Sequence, residues 1–166
     1  AEYVHNELGL AKKCVIVGMS CGGMQGIYFG AKYPEYVSCM HLDAPVVNLL
    51  SCPGGLGKAG DDMFAEFEEA KKMSMTDLLA YRDHPLDYIP QLVKNNVPII
   101  LIAGDSDTIV PYDENGIMLE KYYREHDGEI YVFIKKGADH HPHGLENVIP
   151  VVDLIEKIDN KKRRQG

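Results

Sequence analysis

The run Cys14-Val15-Ile16-Val17 passes without a break into Gly18-Met19-Ser20-Cys21-Gly22-Gly23. A short apolar strand must therefore turn sharply, and the residues beyond the turn read as a helix. Met24, Ile27, Tyr28 and Ala31 recur at helical spacing as far as Tyr33, and Pro34 stops them. Glycines two positions either side of Ser20 let the backbone close without steric clash and leave the hydroxyl projecting from the apex, the geometry of a nucleophile elbow. An ordinary glycine-rich strand-to-helix turn, or a phosphate-binding loop, fits the same residues.

Further apolar, strand-like runs lie at 37–42, 98–103 and 130–134, with helical patterns between or after them. This alternation predicts an α/β fold with a mostly parallel sheet flanked by helices. The continuous run Val97-Pro98-Ile99-Ile100-Leu101-Ile102-Ala103 suits a strand buried on both faces. Helices are expected over 114–125 and 147–158, the latter with Val148, Val152, Ile155 and Ile158 along one face and Pro150 in its first turn. The residues before the first strand read as an amphipathic helix. At 166 residues and 45% apolar content the chain fits one domain.

Between positions 48 and 96 the pattern changes to a glycine-rich loop and short amphipathic segments, which reads as a small insertion, or cap, after the second strand. Its loop, Pro53-Gly54-Gly55-Leu56-Gly57-Lys58, ends in Gly-Lys as a phosphate loop does. The spacing fails: such a loop needs glycine where Cys52 stands and Ser or Thr where Ala59 stands.

A net charge of −8 would repel polyanions, so neither nucleic acid nor an anionic membrane is an expected partner. The basic end, Lys161-Lys162-Arg163-Arg164, reads as a solvated helix tail that complements the helix dipole. Cys14, Cys21, Cys39 and Cys52 form no Cys-x-x-Cys pair, and free thiols are expected. Nothing in the sequence assigns a compartment.

A serine hydroxyl is a weak nucleophile at neutral pH and needs a histidine to take its proton and a carboxylate to orient that histidine. Candidates for both follow the later strands. After 98–103 comes Gly104-Asp105-Ser106-Asp107-Thr108-Ile109-Val110-Pro111; after 130–134 comes Gly137-Ala138-Asp139-His140-His141-Pro142-His143-Gly144. Catalytic groups collect at the C-terminal ends of parallel strands, where all three segments are expected. Three histidines beside an aspartate also suggest a metal site, but adjacent side chains of one loop rarely converge on one ion, so no metal and no cofactor is expected. For His141 and His143 the expectation is loop packing. A thiol at position 21 is a rival nucleophile, yet it sits one residue past the apex and its side chain would enter the helix.

With the elbow, the Gly-x-x-Asp loop at 104–107 and the late histidine loop in this order, the chain resembles the C-terminal part of an α/β-hydrolase of the serine esterase and prolyl oligopeptidase-like group. The runs Asp43-Ala44-Pro45, Pro53-Gly54-Gly55 and His140-His141-Pro142-His143 are similar to a bacterial subgroup of such hydrolases. The resemblance implies Ser20 as nucleophile, Asp107 as orienting acid in preference to Asp105, and His140 as general base in preference to His141 or His143. It implies the Cys21 backbone N–H as one oxyanion donor, and Met19, Asp43 and Pro45 at the substrate. The family pattern has glycine before the catalytic histidine, where this chain has Asp139.

The implied activity is hydrolysis of a carboxylic ester, carbohydrate-linked in that subgroup; peptide hydrolysis and a non-catalytic binding module are the alternatives. In this fold the second oxyanion donor comes from a loop after an earlier strand. The expectation is therefore a single partial domain over 1–166 lacking N-terminal strands, with an incomplete sheet through which it self-associates, and inactive as a fragment.

Overall fold

The computed structural model describes residues 1–163, at position 163 the backbone alone. Four strands, β1 (Cys14–Met19), β2 (Val37–Asp43), β3 (Ile99–Gly104) and β4 (Ile130–Lys135), form one sheet in the order β1-β2-β3-β4, every pair parallel. The helices are α1 (Glu2–Asn6), α2 (Cys21–Lys32), α3 (Phe64–Lys71), α4 (Met75–Ala80), α5 (Ile89–Lys94), α6 (Gly116–Glu125) and α7 (Ile149–Arg163). Because spatial order follows chain order, each strand ends beside the next, and the loops leaving their C-terminal ends line up along one rim. This is the α/β architecture of a partial α/β-hydrolase fold.

Successive residues of a strand point to opposite faces, and the two cores sort accordingly. Met40, Leu42, Ile99 and Leu101 face Ile27 and Ala31 of α2, Leu92 of α5, and Leu119 and Tyr123 of α6. Cys39, Ile100 and Ile102 face Val151 and Ile158 of α7. Every residue of β3 is buried, which is why its sequence is apolar without alternation. Each such side chain withdrawn from water contributes on the order of 1.5–3 kcal/mol.

Four local expectations change. The helix expected from 114 begins at Gly116 instead; Tyr112–Glu114 is a 3-10 turn, and Asn115 between them has φ −130° and ψ −83°. The Asn115 side chain explains the break, because its Oδ1 accepts from the N–H groups of both Val47 and Asn48 at 3.0 Å. The helix expected over 147–158 runs Ile149–Arg163, with Pro150 at its second position. Before β1 only Glu2–Asn6 are helical, and none of them is buried, so this turn has no packed face. In the basic tail Lys161 lies 3.9 Å from Glu129 and Lys162 Nζ donates to the Asn96 carbonyl at 2.8 Å; the Arg163 side chain and Arg164 lie outside the described residues.

Within the segment 48–96, the first part packs as a unit of its own: Leu49, Cys52, Ala59 and Leu78 are buried with Val46 and Val110, and Phe64, Phe67 and Met73 lean on them. Ile89 and Leu92 join the main core instead. The glycine-rich loop wraps a carboxylate, with Glu114 accepting from the Lys58 N–H at 2.7 Å and from Ser51 Oγ at 2.6 Å. Among the described residues no helix is long and apolar enough to cross a membrane.

Candidate active site

Ser20 stands between β1 and α2 with φ 52° and ψ −122°. A non-glycine residue at positive φ is strained by about 1–3 kcal/mol and persists only where its surroundings hold it. Here the Ser20 N–H donates to the Asp43 carbonyl at 2.9 Å, and the Ser20 carbonyl accepts from Gly23 and Val46 N–H groups at 3.0 and 3.1 Å. The glycines that make this possible are Gly18 and Gly23. A Cβ on Gly18 would lie 2.5 Å from the Gly22 carbonyl oxygen, and one on Gly23 would lie 2.5 Å from Pro45 Cβ, whereas a Cβ on Gly22 would meet nothing. The second tight position is thus one residue later than symmetry about Ser20 suggests.

Cys21 opens α2, and its N–H has no carbonyl four residues back within the helix, so it points free at the helix N-terminus. The Cys21 side chain is exposed, as is Met19. Pro45 is buried against Gly23.

At the end of β3, Asp107 is 6% exposed. Its Oδ1 accepts from the N–H groups of Ile109 and Val110 at 2.9 and 2.7 Å, and its Oδ2 accepts from His140 Nδ1 at 2.8 Å. With Nδ1–H so committed, His140 keeps its Nε2 lone pair for another partner. His140 is itself only 4% exposed. Asp105 serves elsewhere, because its Oδ1 takes the Gly137 N–H at 2.6 Å and so joins the loops after β3 and β4. Asp139, where the family has glycine, accepts from the N–H groups of Thr108 and His140 at 2.9 and 2.8 Å. Those donors hold its carboxyl below the usual carboxylate range. Gly104 lets the two loops touch, since a Cβ there would run into the backbone of Ala138 and Asp139.

Asp43 lies at the end of β2, 1% exposed. It accepts from the Gly144 N–H, and its Oδ1 is 3.9 Å from Lys135 Nζ and 3.6 Å from His143 Nδ1. One oxygen of its carboxylate thus braces the histidine loop through the Gly144 N–H. Lys135 also donates to the Pro142 carbonyl at 2.8 Å, a second strut under the same loop. Sequence reasoning missed this bracing; the one signal for it was an aspartate closing an apolar strand.

The structure thus brings Asp107 and His140 together, and sets Ser20, Asp43, Asp107 and His140 at successive strand ends along one rim. Among the described residues no hydrogen bond joins the Ser20 hydroxyl to His140. The three histidines of the loop do converge, against the expectation for neighbours in one loop. The rings of His140, His141 and His143 are mutually edge-on with centroids 4.8 to 4.9 Å apart.

Beside the elbow is a cavity of about 250 Å³ whose wall is nearly all apolar: Cys21, Met24, Val46, Leu49, Pro53, Met63 and Phe67, with Glu66 and Lys71 also contributing. Most of that wall comes from the segment after β2.

The sequence profile of a family described as the alpha/beta hydrolase fold matches residues 1–84 of the 166. The chain belongs to that family. Its fold is similar to that of Pyrococcus horikoshii acylaminoacyl peptidase, with a TM-score of 0.64 at 17% identity over 84% of this chain and 22% of that one. A Mycobacterium tuberculosis puromycin-hydrolyzing peptidase gives 0.64 at 17% identity over 92% of this chain and 22% of that one. Paleococcus ferrophilus monoacylglycerol lipase gives 0.56 at 16% over 93% and 70%. The chain spans about a fifth of the length of the two peptidases. At these identities the likeness is one of fold.

Proposed function

We propose that this protein is a serine hydrolase that cleaves a carboxylic ester through an acyl-enzyme at Ser20. The observation that carries the reading is the buried pair of Asp107 and His140, joined at 2.8 Å, with the second carboxylate oxygen saturated by two backbone N–H groups. A carboxylate held so firmly fixes the imidazole's tautomer and stabilises the imidazolium that forms when it takes a proton. His140 Nε2 accepts the Ser20 proton as Oγ attacks the ester carbonyl. It then returns that proton to the leaving alcohol, and repeats the cycle with water to release the acid. In this reading the Ser20–His140 hydrogen bond forms when substrate enters, since catalytic hydrogen bonds are commonly long or poorly aligned in ligand-free enzymes.

The Cys21 N–H stabilises the tetrahedral oxyanion, and each well-aimed donor is worth on the order of 3 kcal/mol. In α/β-hydrolases generally, the second donor comes from a loop after an earlier strand. The apolar cavity that begins at Cys21 supports an apolar acyl group, with Met19 at the exposed lip. The carbohydrate-linked alcohol rests on the sequence resemblance alone.

Labelling with a fluorophosphonate probe tests the reading. The full-length protein should react at Ser20, and Ser20→Ala should not; a folded protein that resists the probe would instead be a binding module on a hydrolase fold. Peptide hydrolysis is the second reading, favoured by the peptidases among the structural neighbours. Cleavage of prolyl peptides without turnover of p-nitrophenyl esters would select it.

A further inference from the structure

The histidine loop holds more imidazole than a hydrolase mechanism uses. One ring nitrogen from each of His140, His141 and His143 lies within 4.8 Å of the other two. Two of the three rings carry a carboxylate behind them: Asp107 takes Nδ1–H of His140 at 2.8 Å, and Asp43 Oδ1 lies 3.6 Å from Nδ1 of His143. That His143 nitrogen is buried without a hydrogen-bond partner, as is Asp43 Oδ1. A carboxylate behind a ligating imidazole is the usual outer layer of a metal site, orienting the ring and raising its basicity.

We propose that His140, His141 and His143 form a site for a divalent transition ion, zinc above all, and that the ion shuts the active site by taking the His140 nitrogen needed as the general base. Three imidazoles with one open position suit tetrahedral zinc, and imidazole ligands exclude calcium and magnesium, which take oxygen. Zinc–nitrogen bonds of about 2.0–2.1 Å put ligand nitrogens roughly 3.3 Å apart, so the cluster closes by about 1.5 Å at most on binding. His141 is exposed and His143 half-buried, which leaves those two rings room to move, while His140 stays fixed by Asp107. Neutral imidazole donates its lone pair to the ion, so no other group need gain or lose a proton. An occupied His140 Nε2 cannot accept the Ser20 proton. The inhibitory half of the proposal rests on the serine hydrolase reading above; the binding half does not.

The experiment has two arms. In the first, metal-free full-length protein is titrated with zinc sulfate by calorimetry, with cobalt(II) absorption reporting tetrahedral coordination. One ion should bind per chain, and His141→Gln and His143→Gln should each weaken it at least about tenfold. Absence of saturable binding, or unchanged binding in both folded variants, overturns the site. Because His141 is exposed, its replacement tests the ligand role without touching the core. In the second arm, fluorophosphonate labelling of Ser20 is run with and without zinc. Labelling of the wild type should fall as zinc is added and return with a chelator, while His141→Gln should need at least about tenfold more zinc for the same fall. Zinc that binds without suppressing labelling overturns the inhibitory role. No labelling under any condition refutes the hydrolase reading instead, and the titration still decides the site.

Discussion

Asp107 shows how much of a candidate catalytic site is backbone. Both of its oxygens are committed, one to Ile109 and Val110 N–H groups and the other to His140, so the carboxylate cannot rotate away from the ring it orients. Replacement by Asn keeps the shape and an acceptor oxygen but no longer selects the tautomer with Nε2 free. Asp107→Asn should therefore lower ester turnover by about 10⁴-fold with an unchanged circular dichroism spectrum; a loss under tenfold would show that His140 is not oriented this way during turnover. The four thiols divide by burial. Cys14 and Cys21 are exposed, while Cys39 and Cys52 are buried and burial pushes them to about 11 and about 12. Native protein should show two thiols reactive toward Ellman's reagent and unfolded protein four. Cys21→Ala should still label with fluorophosphonate, since position 21 contributes through its amide.

At the scale of elements, β2 carries a titrating group into the interior. His41 faces burial that pushes its imidazole below its ordinary value of 6.5, partly offset by the charge of Asp43, and its Nε2 has no partner. The folded state keeps His41 neutral at a pH where the unfolded chain already binds a proton. Stability must then fall as pH drops through about 6.5, and go on falling until the folded value is reached. The midpoint of thermal unfolding should drop between pH 7.5 and pH 5.5, and His41→Gln should shrink that drop. An identical slope in the variant would assign the acid sensitivity elsewhere. The elbow is likewise a property of two elements together. Gly23 is forced by Pro45, which lies beyond β2, so the turn that presents Ser20 closes only when β1 and β2 are side by side.

For the whole molecule the exposed end of the sheet matters most. β1 is an outer strand with Val17 61% and Met19 48% exposed, beside a sheet whose interior strands are buried on both faces. An outer strand with apolar side chains is a template for another strand. We expect the chain on its own to self-associate at micromolar concentration, seen as concentration-dependent elution in size-exclusion chromatography, and Val17→Lys to reduce it. A monomer at all concentrations would count against pairing through β1.

The parts of this protein written into its sequence are those set by short-range sterics and by burial of consecutive residues. An all-buried strand must be apolar throughout, and a glycine-flanked serine between strand and helix patterns predicts a strained turn. The alternation of those patterns predicts a parallel sheet with its loops on one rim. Features that depend on contacts between distant positions were decided only on folding. The resemblance already preferred Asp107 to Asp105, but the reason appears only in the fold: Gly104 lets the loops after β3 and β4 touch, and the Gly137 N–H occupies Asp105. α6 starts at Gly116 because Asn115 serves amides at Val47 and Asn48. Three histidines converge in a loop that Asp107, beyond β3, anchors through the His140 ring and Asp43, at the end of β2, anchors through the Gly144 N–H. Such choices depend on which backbone and side-chain groups meet across the sheet, and local pattern carries no record of that meeting.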